Sequence, residues 1–371
     1  MKQFRIVPSI LEFNTCEEFA SSFEIGKNDL IFISERTYNK FFKDCTTDAT
    51  IIFRGSYGSG EPTDEMAEAI YQDIKDIPYT RVIAIGGGTI IDTAKLFALK
   101  TFSPVLDLFD KKIEAIQDKE LLLVPTTCGT GSEVTNISIL ELVSRNTKLG
   151  LAVDALYPSH AVLIPQLLED LPFEFFATSS IDALIHAVES FLSPKATTFS
   201  QMYSREAIKM ILTGYQEIAK NGKTARFPIL KEFMLASTYA GIAFGNAGTG
   251  AVHAMSYPLG AKYHVPHGES NYALFTEVFK LYQKLDPNGN IQALNELVSS
   301  ILICNSSDVY EEIEKLLDVI LPKKPLHSYG TTLEDLDNFT ENVMTKQGRL
   351  MANNYTVLDK DMVYGIYSRL F

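Results

Sequence analysis

The chain has 371 residues, 46% hydrophobic and 21% charged, which is typical of a globular protein long enough for two domains. Its formal net charge of −13 argues against a nucleic-acid partner, because phosphate binding requires clustered lysine and arginine. No apolar run approaches the roughly 20 residues that a membrane-spanning helix needs. The four cysteines lie far apart without CxxC spacing, which favours free thiols and a cytoplasmic location.

Short apolar runs alternate with helical patterns through the first half of the chain. This alternation indicates βαβ units and a mostly parallel sheet. The predicted strands are LIFI (30–33), TIIF (50–53), RVIAI (81–85), LLLV (121–124) and AVLI (161–164), and two predicted helices are 64–75 and 89–100. We therefore predict an NAD-binding α/β domain, Rossmann-like in architecture, over residues 1–171.

After about residue 170 the strand-like runs stop and helical periodicity dominates. Apolar residues recur there at intervals of three and four, as on the buried face of a helix. The clearest such segments are 204–220, 291–303, 308–321 and 333–344. We predict an all-helical, metal-binding domain over residues 172–371.

Two loops follow predicted strands with residues that suit a nucleotide. In RVIAIGGGTIIDTAK (81–95), three glycines lie between a strand and a helix N-terminus, where peptide N–H groups can bind phosphate. In LLLVPTTCGTGSEVT (121–135), hydroxyl groups follow the next strand. Each loop alone is compatible with an ordinary turn, because neither matches the GxGxxG fingerprint. Together they favour a dinucleotide.

An acidic residue follows the first strong strand. LIFISERTY (30–38) places Glu35 at the strand tip, where a carboxylate can accept hydrogen bonds from a ribose diol and repel a 2′-phosphate. This position favours NAD over NADP. The alternative is a solvated loop glutamate.

Three of the six histidines lie in one short segment, VHAMSYPLGAKYHVPHGES (252–270). We expect the Pro-Leu-Gly sequence at 258–260 to break regular structure, so that the chain folds back and brings His253 and His267 together. Upstream, Asp182 and His186 are four residues apart and would share one face of a helix.

These four side chains offer one oxygen and three nitrogens to a cation. Imidazole suits iron, zinc, copper or nickel, and a single carboxylate keeps Fe2+ among the choices. Four protein ligands with room for a substrate oxygen make a Lewis-acid site. The alternative is a set of structural histidines with satisfied hydrogen bonds.

Taken together, these segments resemble the iron-containing (group III) alcohol dehydrogenases. The segments that carry the resemblance are GGGTIIDTAK, PTTCGTGSEVT, DALIH, VHAMSYPLGAKYHVPHG and RLMANNYTVLDKDMVYGIY (349–367). The resemblance implies a dehydroquinate synthase-like architecture, with NAD and a divalent metal, Fe2+ preferred and Zn2+ possible, as cofactors. The metal ligands that it implies are Asp182, His186, His253 and His267. The cofactor-binding residues that it implies are Glu35, Gly87, Gly88, Thr89, Asp92, Thr126, Thr127, Thr130 and Lys148.

One position departs from the family pattern. Many members have a second histidine four residues after the one that matches His253, and here that position is Tyr257. A proton relay through that histidine is therefore in doubt. Tyr257 can bind substrate or simply pack, and His264 is a candidate substitute relay or an exposed histidine.

The resemblance implies reversible hydride transfer between NAD and a primary alcohol/aldehyde pair, with 4-hydroxybutyrate and succinate semialdehyde as the preferred substrates. Lys262 and Arg349 are conceivable partners for the substrate carboxylate, although surface charges are the commoner reading. The main alternative is a short-chain diol or butanol dehydrogenase of the same family. A carbocyclic lyase of the dehydroquinate-synthase type and a catalytically silent nucleotide-binding protein are further alternatives. The resemblance also implies a homo-oligomer, with a dimer expected.

Overall fold

The computed structural model describes residues 2–46, 48–145 and 147–371. The chain divides into two compact units. One unit comprises Ile6–Thr127 and Ser132–Leu171, and the other comprises Met1–Arg5, Cys128–Gly131 and Pro172–Phe371. We call them the sheet unit and the helical unit.

Within the described residues, the sheet unit contains a six-stranded parallel sheet with strand order β1-β8-β5-β4-β2-β3. Its strands are β1 (Ser9–Glu12), β2 (Asp29–Ile33), β3 (Thr50–Phe53), β4 (Arg81–Gly86), β5 (Glu120–Pro125) and β8 (His160–Leu163). After a charged first residue in each, the strands β2, β4 and β5 are apolar and buried, because helices and loops cover both faces of the sheet. The predicted parallel sheet is therefore confirmed.

Short helices connect these strands. They are α1 (Cys16–Ser22), α2 (Glu35–Thr37), α3 (Asp64–Ile74), α4 (Gly88–Phe97) and α5 (Val105–Phe109). Neighbouring strands run in one direction, so the turns after β2, β4 and β5 lie at the same edge of the sheet. This edge is where parallel sheets usually bind ligands.

A two-stranded antiparallel ribbon was not predicted. It pairs β6 (Ile137–Leu142) with β7 (Thr147–Ala152). In β6 every second side chain is buried, because one face packs on the sheet unit and the other does not. Strand β1 was also missed, because its four residues form too short a pattern to distinguish from a loop.

The helical unit is built from α-helices of very different lengths. They are α6 (Phe173–Leu192), α7 (Thr198–Asn221), α8 (Leu230–Ala247), α9 (Ala251–Tyr263), α10 (His267–Leu285), α11 (Asn290–Leu302), α12 (Val309–Ile320), α13 (Leu333–Lys346), α14 (Gly348–Met351) and α15 (Lys360–Leu370). The predicted all-helical character of this half is confirmed. Across the described part of the chain, no helix has both the length and the apolar character needed to cross a membrane.

The expected break at 258–260 is wrong. Helix α9 runs without interruption through Pro258 and Gly260 to Tyr263. Proline removes one backbone donor from a helix, and here Pro258 lies buried in α9 between Ser256 and Leu259, which are buried as well. The chain reverses later, where His264 adopts a left-handed conformation (φ 53°) and Pro266 precedes α10.

Candidate metal and cofactor sites

Three helices of the helical unit carry the four predicted ligands. Asp182 and His186 lie one turn apart on α6. His253 lies in the first turn of α9, and His267 is the first residue of α10. One donor atom from each of the four side chains falls within a group in which no two atoms are more than 4.8 Å apart.

The cluster is largely shielded from solvent. Asp182, His186 and His253 are 3%, 5% and 2% exposed, whereas the His267 side chain is 35% exposed. The ring of Phe244 stacks on His186 with 4.3 Å between centroids. Phe244 is thus an apolar neighbour of the cluster, and His267 is its most accessible member.

The tautomers of two histidines are set by their neighbours. Nδ1 of His253 lies 2.5 Å from the carboxylate of Glu189, and Nδ1 of His186 lies 3.3 Å from the carbonyl oxygen of Gly129. Both partners can only accept, so each Nδ1 donates and each Nε2 carries a lone pair. The two Nε2 atoms are 2.9 Å apart. A cation between the two Nε2 atoms would accept both lone pairs, so the donor set fits a metal ion.

Asn271 connects the other two ligands. Its amide nitrogen donates to Asp182 at 2.7 Å and lies 3.2 Å from Nε2 of His267. Burial acts to raise the pKa of Asp182, but the three imidazoles and this amide outweigh it, and the pKa falls below its ordinary value. A carboxylate that stays ionised is the form that binds a metal.

The pKa values of His186 and His253 are shifted in opposite directions. Burial lowers the pKa of His186 to about 3, and Asp182 offsets only part of that effect. Burial also acts to lower the pKa of His253, but the carboxylate of Glu189 outweighs it and the pKa is raised. A proton on His253 would therefore compete with a cation for the same place.

A glycine allows α10 to approach α6. A Cβ atom at Gly268 would lie 2.2 Å from the backbone oxygen of Thr178 and 3.3 Å from Cβ of Asp182. Only glycine fits this contact without a backbone shift. The contact places His267, the preceding residue, beside the ligands of α6.

Glu189 and Asn271 were missed by the sequence analysis. Each repeats the helical spacing of a ligand already identified, since Glu189 is three residues after His186 and Asn271 is four after His267. Helical spacing was therefore the sequence signal that could have identified both residues. The Gly129 carbonyl had no signal, because only tertiary packing brings it to α6.

The remaining candidates near the cluster have different surroundings. The ring of Tyr257 lies on α9 with its centroid 6.1 Å from that of His267. His264 is an exposed C-cap residue, unlike the buried ligands. Lys262 forms an ion pair with the buried carboxylate of Asp335, so its charge is already matched within the helical unit.

In the sheet unit, the two predicted nucleotide loops lie side by side. Gly86 of β4 pairs with Pro125 of β5, and the N–H of Thr126 donates to the carbonyl of Gly86 at 3.0 Å. A Cβ atom at Gly87 would lie 3.3 Å from Cγ2 of Thr127. Gly87 is the N-cap of α4 and supplies no side-chain cap, so the helix N-terminus has N–H groups available for an anion.

The other predicted cofactor residues have varied positions. Gly88 and Thr89 form the start of α4. Glu35 is exposed in the first turn of α2, directly after β2, which pairs with β4. Lys148 lies on β7 with its amino group 3.7 Å from Glu61. Thr130 belongs to the short stretch that groups with the helical unit.

The carboxylate of Asp92 makes its contacts inside the sheet unit. Its carboxylate accepts hydrogen bonds from Ser132 at 2.5 Å and from the N–H of Ile139 at 3.0 Å, and it lies 3.7 Å from Lys95. Burial raises the pKa of Asp92 and lowers that of Lys95 to about 8. These contacts hold the segment after the threonine loop against α4, so direct cofactor contact by Asp92 stays a prediction.

Comparisons with known proteins agree with this geometry. Residues 10–165 match the model of iron-containing alcohol dehydrogenase, and residues 176–371 match that of the Fe-containing alcohol dehydrogenase family, C-terminal. The chain is 47% identical over 371 residues to 4-hydroxybutyrate dehydrogenase of Clostridium kluyveri, with 100% of both chains covered. It is 33% identical to long-chain-alcohol dehydrogenase 1 of Geobacillus thermodenitrificans, over 84% of this chain and 80% of that one.

Solved structures with the same fold are more distant in sequence. Sulfoacetaldehyde reductase from Bifidobacterium kashiwanohense, in complex with NAD+, superposes with a TM-score of 0.85 at 21% identity, covering 100% of this chain and 98% of that one. An iron-containing alcohol dehydrogenase from Thermococcus thioreducens gives 0.85 at 22% identity, with 99% of both chains covered. These structures support the dehydroquinate synthase-like fold.

Proposed function

Because this chain belongs to the iron-containing alcohol dehydrogenase family, we propose that it interconverts 4-hydroxybutyrate and succinate semialdehyde by NAD-dependent hydride transfer. The observation that carries the proposal is the convergence of one carboxylate and three imidazoles in the helical unit. The choice of substrate rests on the full-length identity of 47% to a 4-hydroxybutyrate dehydrogenase.

In this proposal, Asp182, His186, His253 and His267 would hold a divalent cation, Fe2+ by preference with Zn2+ possible. When bound there, the cation would supply Lewis-acid chemistry toward the oxygen of an alcohol or aldehyde. The half-buried ring of Phe244, which stacks on His186, shields one side of the site from water. The exposed His267 marks the side from which a small alcohol or aldehyde enters.

The sheet unit binds NAD in this proposal. The helix N-terminus at Gly87 and Gly88 binds the pyrophosphate, and the hydroxyl groups of Thr126 and Thr127 lie beside it. Glu35 accepts hydrogen bonds from the ribose diol. The further proposed cofactor residues are Thr89, Asp92, Thr130 and Lys148. NAD supplies the redox chemistry, and the protein supplies its binding and orientation.

Several finer assignments belong to the proposal as well. Tyr257 is a candidate substrate contact because its ring lies near that of His267. The exposed His264 is a weaker candidate for proton transfer.

We also propose a cytoplasmic homodimer that has no nucleic-acid partner. The free cysteines support the location, and the net charge of −13 supports the absence of nucleic acid.

The test is a comparison of three aldehydes. Purified enzyme loaded anaerobically with Fe2+ is assayed for NADH oxidation with succinate semialdehyde, butyraldehyde and 3-hydroxypropionaldehyde. We expect the highest kcat/KM for succinate semialdehyde. Equal values for all three would contradict the substrate assignment and favour a short-chain diol or butanol dehydrogenase. Absence of NADH oxidation with every aldehyde would contradict the proposed reaction.

A further inference from the structure

Glu189 is a buried carboxylate whose two oxygens have separate partners. It lies on α6, is 5% exposed, and faces the start of α9. Oε1 accepts the backbone N–H of Val252 at 2.7 Å, and Oε2 accepts Nδ1–H of His253 at 2.5 Å. Burying a carboxylate this deeply costs free energy unless hydrogen-bond donors or a positive charge lie beside it.

The first contact completes the N-terminus of α9. The N-cap residue is Gly250, which has no side chain to accept a hydrogen bond from the first turn. Glu189 supplies that acceptor from another helix. A Cβ atom at Gly250 would lie 2.9 Å from Oδ1 of Asn354 but at an ordinary contact distance of 3.4 Å from Oε1 of Glu189.

The second contact determines which ring nitrogen of His253 carries the hydrogen. His186 donates Nδ1–H to a backbone carbonyl, which no side-chain substitution removes. His253 instead depends on Glu189 for its acceptor. If that acceptor were lost, Nε2 of His253 could take up the hydrogen and donate it across the 2.9 Å to Nε2 of His186. That hydrogen bond would consume both lone pairs that face the cation.

We propose that Glu189 is a positioning residue that holds His253 in its metal-binding tautomer and balances the charge of the bound cation. The inference rests on the proposed function, since it takes the cluster to be a metal site. Asp182 and Glu189 together carry two negative charges, which match the charge of a divalent cation bound at this cluster.

The decisive variant is Glu189→Gln. Its side-chain oxygen can still accept from Val252, but its NH2 group would then face Nδ1 of His253 and reverse the tautomer. We expect the affinity for Zn2+ and for anaerobic Fe2+, measured by chelator competition, to fall about 10–100-fold. The unfolding midpoint of the metal-free protein should stay near that of the wild type. Glu174→Gln, an exposed change on the same helix, is the matched control and should alter neither quantity.

Tautomers can be read directly by 15N NMR of histidine in metal-free protein, at a pH where the imidazoles are neutral. We expect His253 to carry its hydrogen on Nδ1 in the wild type and on Nε2 in Glu189→Gln. Glu189→Asp keeps the charge and an acceptor, so it should recover part of the lost affinity and serves if the glutamine variant does not fold.

Three outcomes would overturn the inference. Wild-type affinity together with an unchanged tautomer in Glu189→Gln would overturn it while leaving the proposed function intact. An aspartate variant as weak as the glutamine variant would show that charge and acceptor do not matter. A wild-type protein that binds no metal at this cluster would overturn both the inference and the proposed function.

Discussion

The two candidate sites are built in opposite ways. In the helical unit, four side chains from three helices converge inside a buried core, and residues behind them hold their rings in place. In the sheet unit, the candidate NAD site consists mainly of backbone turns at the ends of neighbouring strands. Its side chains are small or exposed, as at Thr127 and Glu35.

This difference predicts different sensitivities to substitution. A cation site with four ligands depends on each of them, because binding requires all the donors at about 2 Å. A nucleotide site at strand ends spreads its affinity over many backbone contacts. Single substitutions should therefore have large effects in the helical cluster and moderate effects at the strand ends.

The largest effect is expected for His267→Ala. Loss of one imidazole removes a ligand, so both bound metal and turnover should fall, the latter by about a thousandfold or more, equivalent to about 4 kcal/mol of transition-state stabilisation. Metal content by mass spectrometry and kcat measured on the same sample check this prediction. His327→Ala, which changes an exposed histidine elsewhere in the helical unit, is the control. Full turnover in metal-free His267→Ala would rule out Lewis-acid catalysis.

A smaller but still substantial effect is expected for Gly268→Ala. The new methyl group would meet the Thr178 carbonyl, so α10 must shift and carry His267 with it. We expect a loss of about 1–3 kcal/mol in the free energy of unfolding and weaker metal binding. Denaturant titration and chelator competition measure the two quantities. Gly348→Ala, where a Cβ would contact nothing, should change neither, and equal behaviour of the two variants would refute the role of this close contact.

Glu35→Gly should shift cofactor preference toward NADP. Removing an exposed carboxylate relieves its repulsion of a 2′-phosphate, and we expect kcat/KM with NADP to rise about tenfold. The gain stays moderate because two cations close to Glu35 in sequence, Arg36 and Lys40, both pair with Asp170. Glu35→Gln separates the effect of charge from that of space. An unchanged ratio of NADP to NAD activity in both variants would show that Glu35 does not read the ribose.

The smallest effect concerns a half-buried group of ion pairs in the helical unit that contains none of the predicted site residues. Burial acts to raise the pKa of Glu314, but Lys280 and Lys323 outweigh it and lower the pKa to about 2. The folded-state pKa lies below the unfolded value of about 4.3, so the stabilisation is complete above that value and is lost as pH falls toward 2. Glu314→Gln should lower the free energy of unfolding by about 1 kcal/mol at pH 7 and by progressively less between pH 4 and 2.

Denaturant titrations across this pH range check the sign. Glu311→Gln is the matched control, because that side chain is 51% exposed and lies 3.9 Å from the same lysine. A difference between Glu314→Gln and the wild type that stays constant from pH 7 to 2 would contradict the assigned pKa shift.

The sequence was most informative where a pattern is local. The buried strands at 30–33, 81–85 and 121–124 were predicted within one residue at each end, because continuous apolar runs bounded by polar residues leave few alternatives. The helices over 291–303 and 333–344 followed from their amphipathic spacing. Long helices such as α6 and α8 are apolar on nearly all sides, so their periodicity was too weak to set their bounds.

The candidate site was predicted only in part, because only some of its features are local in sequence. Spacing on one helix identified Asp182 with His186, and residue chemistry added His253 and His267. The way in which His253 and His267 approach each other was predicted wrongly, because Pro-Leu-Gly at 258–260 was expected to break regular structure and α9 continues through it. The reversal occurs at His264 and Pro266, outside the expected break.

Local periodicity and residue type thus determined the parallel sheet, the helical second half and the identity of the four donors. Tertiary structure alone decided which groups lie behind those donors: the carbonyl of Gly129, the carboxylate of Glu189 and the amide of Asn271. The physical reason is that chain patterning records which face of an element is buried. The contacts made on that face depend on how separate helices pack, and Gly268 shows that a single missing methyl group can set their distance.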